Sequence, residues 1–292
     1  MIIAHELEKK YGQHTALDNV SVRVEAGSIV GFVGPNGAGK STTLRIIAGL
    51  ESADSGISEI DGERSGRLSS PWSKMGTLLD RQGVNGELTA VRAVRALGEA
   101  YGVPSSEMEE ILDTVDLMHA KNRKVKTFSL GMKQRLNLAL ALIAHPDYLL
   151  LDEPMNGLDP DGIMWLREFF GFFRDEGGGI LLSSHTLTEV EAVADEIVVI
   201  KEGRTVWTGS TDRMSGASGS VVAADDNGRL VDVLRRREYE FSGDSDLVHV
   251  AAVEPGTLGR VLYEEGVVVT HLTEERTSLE QLYLSLKGNG EN

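Results

Sequence analysis

Near the amino terminus, Gly34-Pro35-Asn36-Gly37-Ala38-Gly39-Lys40-Ser41 brings glycines, one lysine and one hydroxyl together at the spacing G-x-x-x-x-G-K-S. Residue types in that order suit the holding of a phosphate chain. Glycines let backbone N–H groups turn inward on phosphate oxygens, and a helix starting there adds partial positive charge. Lys40 reaches the β- and γ-phosphates, and the Ser41 hydroxyl ligates Mg²⁺. Thr42 follows directly and is taken with the loop as nucleotide-binding. The bland alternative is a plain glycine turn, which needs no particular neighbours.

A second chemical feature lies downstream, where Tyr148-Leu149-Leu150-Leu151 runs into Asp152-Glu153. Two acids at a strand end are usually only solvated. Here the strand is too apolar to be exposed, so the acids fall at the carboxyl edge of a buried sheet, where α/β ligands bind. Asp152 would hold Mg²⁺ through water, and Glu153 would orient or polarise an attacking water.

These residues need elements to position them. Residues 28–33 predict a strand entering the glycine turn, and 41–48 a helix stopped by Gly49, which disfavours the plain-turn reading. Residues 148–151, 180–183 and 197–200 predict buried strands whose unbroken apolar character implies a sheet covered on both faces. Between 89 and 144 apolar residues recur at helical spacing: Val91, Val94 and Leu97, then Met108, Ile111, Leu112 and Val115. The segment Asp212-Arg213-Met214-Ser215-Gly216-Ala217-Ser218-Gly219-Ser220 is rich in Ser and Gly and reads as a linker. Beyond it a small β-α-β-α-β module with a terminal helix from Ser278 is expected.

The chain has 292 residues, which favours one main domain plus an appendage. With 41% hydrophobic and 25% charged residues it can bury a core. A net charge of −16, from 45 acidic and 29 basic side chains, argues against non-specific nucleic-acid binding, which needs a broad basic surface. No cysteine is present, so disulfide, zinc-thiolate and thiol chemistry are excluded. The first dozen residues carry charges of both signs and lack the apolar core of a signal peptide, and no apolar run approaches the roughly 18 residues of a spanning helix. Any membrane role is expected to go through a partner.

Phe128-Ser129-Leu130-Gly131-Met132-Lys133-Gln134-Arg135, standing ahead of Asp152-Glu153, resembles the signature of ATP-binding cassette transporter ATPases in the S-L-G-M form of drug and peptide exporters. Gly157-Leu158-Asp159 is similar to that family's D-loop, and Ser183-Ser184-His185 to its switch histidine. The resemblance covers the chain to about residue 210. It implies an α/β fold, a P-loop NTPase (RecA-like) core with a helical signature subdomain at about 85–145. The nucleotide-binding domain would span 1–212, followed by a linker at 213–220 and a small α+β accessory domain at 221–292. That last domain resembles the accessory domain of bacitracin-exporter-like ATPases, on the segment Ser278-Leu279-Glu280-Gln281-Leu282-Tyr283-Leu284.

The resemblance further implies roles. His185 would hydrogen-bond the γ-phosphate, although a lone histidine is more often structural. Tyr11, in Lys9-Lys10-Tyr11-Gly12, would stack on adenine, against the alternative of a turn aromatic. Two cassettes would pair head to tail, so that Lys40, Asp152, Glu153 and His185 of one face Ser129 and Gly131 of the other, with Asp159 among the nucleotide-contacting residues. Ser129 could instead simply cap the helix that follows it. Met155 stands where the family usually has Thr or Ser and is expected only to fill space. The Q-loop glutamine is also displaced: after Met75-Gly76-Thr77-Leu78-Leu79 comes Asp80, and a glutamine only at Gln82. Lantibiotic-exporter ATPases have a similar acidic replacement, so Asp80 is expected to face Mg²⁺ and the γ-phosphate.

The implied function is the ATP-binding, ATP-hydrolysing subunit of an exporter. ATP and Mg²⁺ are the expected ligands, with a second copy or a homologous cassette and a separately encoded polytopic permease as partners, and no nucleic acid. Its place would be cytoplasmic, peripheral on the inner face of the cell membrane. The alternative is a non-transport cassette ATPase of DNA repair or ribosomes. Repair members carry long coiled-coil insertions and ribosomal ones two cassettes per chain, and this sequence has neither.

Overall fold

No side chain of β3 (Ile29–Val33) is exposed, so this strand must be covered on both faces, and the rest of its sheet is built around that requirement. The computed structural model describes residues 1–79, 84–211, 219–243 and 247–275. The chain divides into two units, 1–209 and 210–292.

In the first unit β1 (Ile2–Tyr11) and β2 (His14–Val24) precede β3. After it come α1 (Lys40–Ile47), β4 (Ser55–Ile60), β5 (Glu63–Arg64), α2 (Pro71–Lys74) and β6 (Met75–Leu78). Three helices follow, α3 (Ala90–Tyr101), α4 (Ser105–Thr114) and α5 (Leu130–Leu142). The unit finishes with β7 (Tyr148–Asp152), α6 (Pro160–Asp175), β8 (Gly179–Ser184), α7 (Leu187–Glu191), β9 (Glu196–Lys201) and β10 (Arg204–Ser210).

Six strands form one sheet in the order β10-β9-β3-β8-β7-β6, and the five from β9 to β6 run parallel. Parallel strands all end at one edge. The glycine loop, Asp152 and His185 therefore leave the sheet side by side, although more than 100 residues separate the first from the others. A second sheet, β2-β1-β4-β5, is antiparallel and leaves no clear alternation in the sequence pattern. Its inner face shares a core with α1 and the large sheet, where Leu7, Leu17, Phe32, Leu44, Ile47 and Leu150 are fully buried.

Helices α3 to α5 have a core of their own, centred on Val94, Met108, Leu112, Val115, Leu117 and Leu136. Thr89 and Ser129 start α3 and α5 by accepting hydrogen bonds from the backbone N–H groups of Arg92 and Met132, at 3.4 and 3.2 Å, which satisfies donors the helices leave free.

A charged cluster pins the two sheets of this unit together. Asp61, at the β4–β5 turn, accepts from the Met1 ammonium at 2.5 Å, Lys74 Nζ at 3.1 Å and the Tyr148 hydroxyl at 3.0 Å. Lys74 also donates to Asp147 at 3.0 Å. Burial alone would raise the Asp61 carboxyl, but the bonds from the ammonium, Lys74 and Tyr148 outweigh it and hold it down to about 2. Burial, and then the bond to Asp61, push the Tyr148 phenol up to about 12, and Asp147 and Asp61 raise the Lys74 ammonium.

The second unit comprises β11 (Gly219–Ala224), α8 (Asn227–Arg236), β12 (Phe241–Ser242), β13 (Val248–Ala251), α9 (Pro255–Glu264) and β14 (Val269–Glu275). Its sheet has the order β12-β13-β11-β14 with antiparallel pairs, a split β-α-β-β-α-β arrangement. This corrects the expected β-α-β-α-β: the extra strand, β12, has only two residues and leaves no periodic signal. The linker expectation also needs correction, because Gly219 and Ser220 lie in β11. The Ser220 hydroxyl is buried and donates to the Val253 carbonyl at 2.7 Å, and a Cβ on Gly219 would meet the Val250 carbonyl oxygen at 2.1 Å. Composition made both look like linker, but one is required for close approach and the other for a buried bond. The helix expected from Ser278 lies outside the described residues.

Candidate active site

The loop between β3 and α1 closes on itself before any ligand is considered. Gly39 sits at φ 107°, a conformation costly for any side chain, and a Cβ there would lie 2.7 Å from the Ala16 carbonyl oxygen. Lys40 Nζ donates to the carbonyls of Gly34 at 2.7 Å and Pro35 at 3.3 Å, so the lysine is threaded back through its own loop. The Ala38 amide donates to the Pro35 carbonyl at 3.1 Å. Lys40 is only 6% exposed, and its charge is met by Glu153 Oε1 at 3.4 Å.

Both carboxylates at the end of β7 are held. Asp152 Oδ2 accepts from the Ser41 hydroxyl at 2.6 Å, and Oδ1 from the Ser183 hydroxyl at 2.5 Å. The Glu153 backbone N–H donates to Ser183 Oγ at 3.0 Å, and Glu153 Oε2 lies 2.7 Å from His185 Nδ1. Glu153 has φ 51°, in the left-handed region that a residue with a Cβ rarely adopts. Its carboxylate is thus bracketed by Lys40 on one oxygen and His185 on the other.

A cleft of about 410 Å³ opens over this edge, lined among others by Tyr11, Asn36, Gly37, Gly39, Lys40, Ser41, Thr42, Asp152 and Glu153. Tyr11 is half-exposed, and its hydroxyl donates to the Glu51 carboxylate, which raises the phenol. Lys9 Nζ stands 5.6 Å from the centre of the same ring. Ser129, Gly131, Asp159 and His185 do not line the cleft. Ser129 and Asp159 cap their helices, Asp159 by accepting from the Gly162 N–H at 2.9 Å. Met155 is buried, as expected of a space-filling residue. Asp80 and Gln82 lie outside the described residues.

Two residues with no role assigned from sequence belong to this neighbourhood. Ser183 is one. The other is Gln134 on α5, whose side-chain amide donates to the Pro154 carbonyl at 2.9 Å. A pair of serines, Ser183-Ser184, at the end of an otherwise apolar strand, and a glutamine on the helix after the Ser129 cap, are the signals available for them.

The set fits a hydrated Mg²⁺. Ser41 and Asp152 offer one hydroxyl and one carboxylate, hard oxygens in the small number typical of a cation that keeps waters and shares nucleotide phosphates. Among the described residues there is no group of three or more His, Cys, Asp or Glu that could hold a metal ion.

Residues 17–156 match the family model described as ABC transporter. The chain is 41% identical over 206 residues to the lantibiotic transport ATP-binding protein SrtF of Streptococcus pyogenes, covering 70% of this chain and 89% of SrtF. It is 32% identical over 295 residues to the bacitracin transport ATP-binding protein BcrA of Bacillus licheniformis, covering 98% of this chain and 96% of BcrA. A solved ATP-binding subunit of an ABC transporter superposes with a TM-score of 0.65 at 27% identity, over 91% of this chain and 99% of that one.

Proposed function

Because the chain belongs to the ABC transporter family and is an ATPase subunit that powers a separate permease, we propose that it works as one of two cassettes that close on ATP and Mg²⁺. The observation that carries this reading is the half-built site. Lys40, Ser41, Asp152 and Glu153 share one cleft, while Ser129 and Gly131 lie outside it, free to serve the cleft of a second copy.

In that reading backbone amides of residues 36–42, other than the Ala38 amide already bonded to Pro35, take the phosphate chain, and Lys40 turns from Glu153 to the β- and γ-phosphates. Ser41 and Asp152 would hold Mg²⁺, which when bound would supply positive charge beside the β- and γ-phosphates. Tyr11 stacks on the adenine. Glu153 accepts a hydrogen bond from the attacking water and aligns it in line with the bond to ADP, while His185 holds the carboxylate in place and reaches the γ-phosphate. Asp80 reads the loaded metal. Product release reopens the pair, which is the two-state motion a permease can follow.

No helix of the described residues is long and apolar enough to cross a membrane. The reading places the protein in the cytoplasm against the inner face of the membrane, bound to a polytopic permease that selects the cargo. Peptide antibiotics, after which SrtF and BcrA are named, are the first cargo class to test.

The deciding experiment is steady-state ATP hydrolysis by the purified protein with Mg²⁺ or with EDTA, and with Lys40→Ala. Metal-dependent turnover that falls by roughly 10²–10³-fold in the variant is the expected result, since the charge that meets the phosphates is lost. Undiminished turnover in a folded Lys40→Ala protein would refute the role of Lys40.

A further inference from the structure

Strand β8 runs beside β7 in parallel register, with Ser183 opposite Asp152. The Ser183 side chain is fully buried. Its hydroxyl has one proton to give. An ionised carboxylate can only accept and a backbone amide can only donate, so both bonds have a fixed direction: Ser183 donates to Asp152 Oδ1 at 2.5 Å and accepts from the Glu153 N–H at 3.0 Å. One oxygen atom thus sets the rotation of the Asp152 carboxylate and holds the amide of the residue whose backbone is left-handed. Two residues further on, the same strand delivers His185 to Glu153 Oε2 at 2.7 Å.

We propose that Ser183 is a positioning residue for both carboxylates. It turns Asp152 so that Oδ2 and the Ser41 hydroxyl face a hydrated divalent cation together, and it fixes the Glu153 backbone so that its side chain projects toward the cleft. This rests on the assignment of Asp152 and Glu153 given above. Without the hydroxyl, Asp152 Oδ1 loses its only protein donor among the described bonds, and the Glu153 amide loses its acceptor. A carboxylate free to rotate presents its oxygens to the metal only part of the time. Partners one step removed from a metal ligand typically change metal affinity or activity by about 10–100-fold when lost.

The test compares Ser183→Cys, which keeps the size and loses most of the donor strength, Ser183→Ala, which removes the group, and Ser183→Thr, which keeps the hydroxyl. Mn²⁺ is titrated into the ADP-loaded protein and followed by its paramagnetic resonance, with nucleotide binding in EDTA as the check on folding. Cys and Ala are both carried because either one that still binds nucleotide without metal decides the matter. The expected result is a loss of Mn²⁺ affinity of about tenfold or more with Cys and Ala, a fall in kcat with KM for ATP near that of the parent, and recovery in Thr. Parental Mn²⁺ affinity and kcat in Cys or Ala would overturn the inference. Asp152→Asn run alongside separates the two layers: if it keeps Mn²⁺, the assignment of Asp152 has failed, and if it loses Mn²⁺ while Ser183→Cys does not, only the role of Ser183 has.

Discussion

The side-chain amide of Gln134 reaches 2.9 Å to the carbonyl of Pro154, so the helix that begins at the Ser129 cap is hydrogen-bonded to the residue beside Glu153. Arg135, next on that helix, lies 4.2 Å over the Trp165 ring of α6 and 2.7 Å from Asp116. The helical stretch and the catalytic strand are therefore joined at the point where a shift in one would turn the other.

Gln134→Ala removes that tie without touching the nucleotide. The expected outcome is a kcat lowered by about tenfold with an unchanged KM for ATP, because a misplaced group harms the transition state more than ground-state binding. Steady-state kinetics check it, and a rise in KM at constant kcat would contradict the coupling.

Glu153→Gln keeps the shape and loses the charge that faces Lys40 at 3.4 Å and His185 at 2.7 Å. It should bind ATP and turn it over very slowly, since an amide polarises water poorly. The ATP-loaded pair should then accumulate, visible by size-exclusion chromatography with Mg²⁺. A protein that stays monomeric there would argue against two chains sharing the site.

At the Q-loop, Asp80→Ala is expected to lower cargo moved per ATP hydrolysed more than Gln82→Ala does, measured with the permease in reconstituted membranes. A carboxylate is favoured beside a divalent cation and repelled by a bare γ-phosphate, so Asp80 should act when the metal is loaded. The opposite ranking would make Gln82 the functional residue.

Acid should loosen the junction of the two sheets. The Asp61 carboxyl is held at about 2, below its ordinary value, so its contribution is complete above about pH 4 and is lost as pH falls toward 2. Asp61→Asn should lower the melting temperature at pH 7 and show a smaller further drop between pH 4 and 2 than the parent. Thermal melts followed by circular dichroism check this, and parallel curves for the two proteins would exclude Asp61 as the titrating group.

The four central strands of the large sheet, β3, β7, β8 and β9, could be read from sequence because they are buried on both faces and appear as largely apolar runs. The antiparallel sheet could not. In Ile2–Tyr11 the register shifts three times against β2, and Glu6 takes φ 50°, which breaks the alternation that marks a half-buried strand. The glycine loop stands out in sequence because its parts are contiguous. Ser183 and Gln134 owe their positions to partners 31 and 20 residues away, and no local pattern encodes such a pairing.

The left-handed backbone at Glu153 sets two demands on one position against each other. Glycine would adopt that conformation without the roughly 1–2 kcal/mol that a side chain costs there, and it would carry no carboxylate. It would also take the counter-charge from the buried Lys40, so relief of the backbone strain at residue 153 comes with the loss of an ion pair as well as of the enzyme. Keeping glutamate therefore obliges the surrounding bonds, Ser183 on its amide and His185 and Lys40 on its carboxylate, to hold the residue where the backbone would not choose to put it, and ties relief of that strain to a fall in turnover.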